Sequence, residues 1–295
     1  MSFLRVKDLQ FFFFAVLLLN PILIFSQELF ISTEPASNRP KGVLITKLGT
    51  SYQSTGSDNT IEIMPKCMYS FNAKIMGSLG VTTKYTQLIS PESQRFIATS
   101  FNGFLKYRFL NFDSKHKHFR MAALVSFSTS KNELCTPLSP EGGICKGLSI
   151  RLIQTYLHKR FAFSGDCGLL FQNQTGVALF EQQKVFTYIL SSGYLIRPYP
   201  YRSYKETNWN FYLEWLGNIS RYPSNTSDVL ENYRKEGATD HYSEISPGLQ
   251  FIFRSRSRLD LSCRVPAISK NSVNTPDFMI YVAYEHYLYS KGKQP

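Results

Sequence analysis

Between Glu244 and Val265 the chain changes polarity at every second residue. Ile245, Pro247, Leu249, Phe251 and Phe253 share one side, opposite Glu244, Ser246, Gly248 and Gln250. After the basic corner Arg254-Ser-Arg-Ser257, Leu259, Leu261, Cys263 and Val265 oppose Asp260, Ser262 and Arg264. Period two is the signature of a strand whose two faces meet different surroundings. In 205–217, Trp209, Phe211, Leu213 and Trp215 likewise oppose Asn208, Asn210, Tyr212 and Glu214. Such segments recur at about 42–52, 61–71, 73–85, 96–110, 117–130, 148–158, 161–172, 184–196, 205–217, 241–254, 258–268 and 277–289, and few stretches read as helix. Most exceed the ~5–6 residues usual in soluble sheets and reach the ~9–11 that a tilted membrane-crossing strand needs.

The connections are sorted. Odd-numbered ones, counted from the first strand, are generally long: one holds TPLSPEGGI and another SRYPSNTSDVLENYRKEGAT. Even-numbered ones include Asn72 alone, the His158–Arg160 corner and the RSRS corner. About twelve strands with sorted connections predict an all-β, antiparallel transmembrane barrel, its short turns periplasmic and its long loops extracellular. Alternation alone does not say which face is inside, since a lipocalin-like barrel would put the apolar face within. Strand length, loop sorting and a leader sequence assign the large apolar residues to lipid.

That leader is residues 1–26. Arg5 and Lys7 precede the apolar run Phe11–Leu19, Ile22–Phe25 continues it, and Ser26 offers a small residue before a cut. The competing reading is an uncleaved anchor, which Asn20-Pro21 interrupts and which is short for a span of ~20 residues. The chain then divides into a signal peptide at 1–26, a periplasmic N-terminal segment at 27–41 and the barrel at 42–295. Beyond residue 26 the longest apolar run is Phe278–Tyr284, too short for a membrane helix. These features place the protein in the outer membrane of a Gram-negative cell.

The net charge is +12, but the basic residues are scattered without a dense stripe, which argues against nucleic acid. Expected partners are outer-membrane lipid, lipopolysaccharide phosphates and a small solute. Cys67, Cys167 and Cys263 stand singly in alternating segments, while Cys135 and Cys145 flank one loop. Those two are either a loop-closing disulfide or two unrelated thiols. No spacing suggests a metal site, and no cofactor is expected.

Two phrases carry a family resemblance. QELFISTEPASNRPKG resembles the mature start of outer-membrane barrels from Bacteroidetes-type bacteria. ISPGLQFIFRSRSRLDLSCRVPAI resembles the late hairpin of the barrel family named for the MetA pathway of phenol degradation. The resemblance implies a transporter-like, porin-like barrel and names no substrate. It implies no enzyme, since it brings no catalytic motif.

Parity, taken strand by strand, places Glu62, Lys66, Lys106, Arg108, Arg120, Arg151, Asp166, Glu214, Glu244, Asp260, Arg264 and Glu285 in the lumen. Two readings follow. The set lines a passive channel for small polar or anionic solutes, or it forms a closed salt-bridge network in a structural or surface-interaction barrel. A third candidate is His241 with Ser243, two apart on one side of a strand, where histidine would activate the hydroxyl of a lipid hydrolase. The long loop 218–240 is either a solvated loop, a surface-recognition element or a luminal constriction.

Overall fold

The computed structural model describes residues 30–56, 58–88, 95–114, 117–130, 146–173, 182–198, 206–221, 239–270 and 276–289. The leader, Cys135, Cys145 and residues 222–238 of the long loop lie outside this set.

Twelve strands form the wall: β1 (Leu44–Thr55), β2 (Asp58–Ser70), β3 (Ile75–Leu88), β4 (Arg95–Asp113), β5 (Lys117–Ser130), β6 (Gly147–His158), β7 (Phe161–Asn173), β8 (Gln182–Arg197), β9 (Asn208–Arg221), β10 (Thr239–Phe253), β11 (Ser257–Lys270) and β12 (Phe278–Leu288). Each pairs antiparallel with its sequence neighbours, and β1 closes the barrel against β12 in a register running from Leu44↔Leu288 to Ser54↔Phe278. All twelve segments read from period two are strands, displaced at their ends by four residues or fewer. Closure leaves no sheet edge to cap, which is what a strand wall in lipid requires.

The alternation has the expected polarity. Leu79, Ile97, Phe101, Phe127, Leu190, Trp209, Phe211, Val265 and Ile280 are exposed on the outer wall, whereas Glu62, Lys106, Asp166, Glu214, Asp260 and Arg264 are buried inside. An outer wall this apolar is a lipid-facing wall, and the polar residues face the lumen.

The turns show why one rim is tight. Asn72 Oδ1 accepts hydrogen bonds from Lys74 N and Ile75 N, closing the β2–β3 turn with a side chain. At β10–β11 the corner is Arg254-Ser255, with φ of 49° and 54°, closed by Arg256 N donating to Phe253 O. Two positive φ values and an i to i+3 bond describe a type I′ turn, the tight turn that matches strand twist. The sorting has two exceptions: β1 and β2 are joined at Gly56 and Ser57 on the other rim, and 198–207 is a long connection on the tight rim.

A non-glycine residue at positive φ carries a cost of about 1–2 kcal/mol. Ser255→Gly is therefore expected to raise the barrel's stability, by about 0.5–1 kcal/mol once the greater freedom of the unfolded chain is counted. The urea midpoint in lipid vesicles measures it.

The N-terminal segment departs from expectation. Read as lying outside the barrel at 27–41, its described part enters the lumen: Phe30, Ile31, Thr33 and Ala36 are buried, and residues 31–39 bond to inward side chains of the wall. A twelve-stranded wall encloses more space than its own side chains fill, and its luminal charges need partners. The segment supplies both volume and partners.

Candidate functional site

The segment runs through the barrel as a bent strap. Phe30 packs edge-on against Tyr212 of β9, with ring centroids 5.7 Å apart. Ile31 lies over Gly248 of β10, where an added β-carbon would come 2.4 Å from Ile31 Cδ1. Gly193 of β8 makes room for Tyr212 in the same way, at 2.4 Å. Glycine is needed at both places because an inward ring or side chain lies against the backbone.

At mid-height the strap is held by charge. Glu214 of β9 accepts hydrogen bonds from Ser32 N at 2.9 Å, Thr33 N at 3.2 Å and Ser191 Oγ at 3.0 Å. The Thr33 and Ser191 hydroxyls also bond to each other. Lys106 of β4, fully buried, donates to Glu34 Oε1 at 2.7 Å, Pro35 O at 2.7 Å and Ser37 O at 2.9 Å. Three acceptors match the three protons of an ammonium group. Arg264 of β11 reaches Ser32 Oγ at 2.9 Å and pairs with Glu244 at 3.4 Å.

Below this the chain descends to the tight rim. Ala36 N donates to Thr155 Oγ1, and Arg120 Nη1 to Ser37 Oγ at 2.7 Å. Asn38 donates to Ala73 O in the β2–β3 turn, and Arg39 bonds to Tyr287 Oη while lying over its ring. The whole phrase TEPASN thus acts as a set of luminal ligands for the wall.

All twelve charges read from parity occupy inward positions. Glu62, Lys106, Asp166, Glu214, Glu244, Asp260, Arg264 and Glu285 are buried, while Lys66, Arg108, Arg120 and Arg151 are half-buried. Sequence reading missed Lys84, which is buried, and Lys47, whose ammonium lies 6.0 Å from the Tyr281 ring centre. It also missed Arg258, which pairs with Asp260 at 2.8 Å and Glu285 at 3.0 Å. Gln250 adds a bond to Asp260 and accepts one from Tyr212 Oη. Parity with Asp260 and Arg264 was the available signal for Arg258, obscured by the basic corner beside it. Glu34 and Arg39 had no periodic signal. Pairing is local: besides these pairs, Arg151 meets Asp166 at 3.0 Å, so positive and negative charges interleave around the lumen.

The strap bounds a cavity of about 150 Å³ whose lining mixes Ser hydroxyls and the Asn102 amide with Phe30, Phe104, Met68 and other apolar groups, and carries six basic side chains against three acidic ones. An excess of basic side chains in a lining of mixed polarity suits small polar or anionic solutes.

His241 and Ser243 form no catalytic pair in this geometry. His241 Nε2 bonds to Tyr188 Oη at 3.0 Å, and the Ser243 hydroxyl is fully buried without a hydrogen bond. A register irregularity falls between Ser243 and Glu244. Cys67, Cys167 and Cys263 are free thiols, and the described residues hold no cluster suited to a metal ion.

No family model and no curated protein sequence matches this chain. Among solved structures, the architecture matches an outer membrane channel from Pseudomonas putida F1 with a TM-score of 0.57, over 87% of this chain and 100% of that one, at 10% identity. The fold is shared with an outer-membrane channel. A NanC porin aligns over 82% of this chain and 100% of its own at 10% identity, with a TM-score of 0.48.

Proposed function

We propose that this protein is a passive outer-membrane channel for small polar or anionic solutes, narrowed by its own N-terminal segment. The observation that carries this reading is a cavity beside residues 30–39, lined by more basic than acidic side chains, inside a lipid-facing wall. On this reading the tight turns are periplasmic, the long loops face outward, and lipopolysaccharide surrounds the outer half. The phrases at the two ends support kinship with Bacteroidetes-type barrels and with the MetA-pathway family, and no residue is assigned a catalytic role.

Removal of residues 1–26 would leave Gln27 as the first residue, three positions before Phe30 in sequence. Intact-mass measurement of the mature protein should give a chain beginning at Gln27, and the folded protein should migrate faster than the heated one in detergent gels. A chain retaining the leader contradicts the arrangement.

The second reading is a closed structural barrel. The local ion pairs favour it, because they satisfy the luminal charges without any solute. Planar-bilayer recording of the purified protein separates the two. A channel gives small, ohmic steps; a structural barrel gives none.

A further inference from the structure

Beyond transport, the geometry points to a binding site for one anionic glycerophospholipid on the outer wall, at the foot of β6, β7 and β8. The wall there has a groove. Gly165 of β7 and Ser192 of β8 point outward, and their small size leaves a furrow between Phe163, Leu190, Leu213 and Trp215, all exposed. The pairs Gly165↔Leu190 and Phe163↔Ser192 make its two floor positions diagonal neighbours on β7 and β8, with Leu213 beside Ser192. A furrow of this kind in a lipid-facing wall accepts an acyl chain.

Two observations distinguish it from a merely uneven surface. Gln154 pairs with Gly165 across β6–β7 and is exposed on the same apolar face. Its side-chain amide has no hydrogen-bond partner among the described residues; only its backbone carbonyl accepts a bond, from Ser164 Oγ. An unpaired amide is costly in hydrocarbon. Four residues from the strand end, it lies about 10 Å above the rim at ordinary strand rise and tilt, a depth suited to lipid ester oxygens.

The second observation is charge. Lys117, which pairs with His158, and Arg197, which pairs with Trp209, are exposed at the foot of the groove, and Lys159 lies between them in the β6–β7 turn. Leu195 N donates to Arg160 O and Arg160 Nη2 to Pro198 O, which joins that turn to the end of β8. The three cations therefore line one stretch of the rim, from the start of β5 to the end of β8, below the level at which Gln154 would meet a lipid's ester groups. The lipid's leaflet, the periplasmic one, rests on the sidedness proposed above; the site itself does not.

The test equilibrates folded protein in micelles with equal amounts of dioleoylphosphatidylglycerol, dioleoylphosphatidylcholine and lipopolysaccharide, then reads retained lipid by native mass spectrometry. One phosphatidylglycerol should stay bound, several-fold in excess over phosphatidylcholine. Gly165→Phe should abolish retention, since an added β-carbon there meets only Leu190 Cδ2, at 3.8 Å, and the ring fills the furrow. Lys117→Gln with Lys159→Gln should erase the headgroup preference. If Gly165→Phe does not give a folded, heat-modifiable barrel, Ser192→Leu narrows the same furrow and replaces it. Equal retention of the two phospholipids by the native protein, preferential binding of lipopolysaccharide, or undiminished retention in the groove-filled variant each overturns the assignment. Conductance should be unchanged by Gly165→Phe, so failure here is distinguishable from failure of the channel reading.

Discussion

Glu214→Gln is expected to raise single-channel conductance several-fold. The carboxylate accepts two backbone N–H groups of the strap and the Ser191 hydroxyl. An amide offers one accepting oxygen and turns two donors toward donors already present. Hydrogen bonds to a charged group contribute about 1.5–3 kcal/mol each. Losing about 3 kcal/mol of docking shifts the ratio of docked to released strap by roughly 100-fold. The strap then loses its anchor on β9, which raises its released population, while the wall is unchanged, because Glu214 makes no ion pair with the wall among the described residues. Bilayer recordings of the variant and the parent, both checked for heat-modifiable mobility, measure the effect. A folded variant with parental conductance would mean that the strap does not limit passage.

Arg258→Met is expected to be the most destabilising single change in the lower lumen. One nitrogen of Arg258, Nη2, holds both Asp260 and Glu285, and all three side chains are nearly inaccessible. Removing it leaves two buried carboxylates facing each other's charge, and breaking a buried pair costs about 3–5 kcal/mol. Urea unfolding in lipid vesicles should show a correspondingly earlier midpoint. Adding Asp260→Asn and Glu285→Gln should recover much of the loss, because the stranded charge is then gone. Full stability of the single variant would place the triad's electrostatics outside the barrel's energetics.

The strap explains which parts of the molecule could be read from sequence. Strand positions followed from period two because each residue on the wall is assigned a face by the pleat, whatever it touches. Arg264 and Asp260 were therefore placed inward correctly from Leu259, Leu261 and Val265 alone. What they touch was not legible. Arg264 reaches Ser32, more than two hundred positions away in the chain, and Lys106 is satisfied by carbonyl oxygens that carry no side-chain signal. Residues 27–41 read as a polar stretch before the first strand because the contacts of 30–39, divided between backbone and side chains, follow no periodic face. That His241 and Ser243 share one side was read from parity as well, but His241's partner Tyr188 lies on β8, two strands away in the wall order and invisible to local spacing.

Deleting residues 27–38 and recording single channels beside the full-length protein tests the account most directly. Residues 44–288, the whole hydrogen-bonded wall, stay intact in such a chain. The strap model requires the truncated barrel to conduct several-fold more than its parent, with Lys106, Glu214 and Arg264 now facing water and setting ion selectivity. Equal conductance in the two proteins, with both barrels folded, would contradict it.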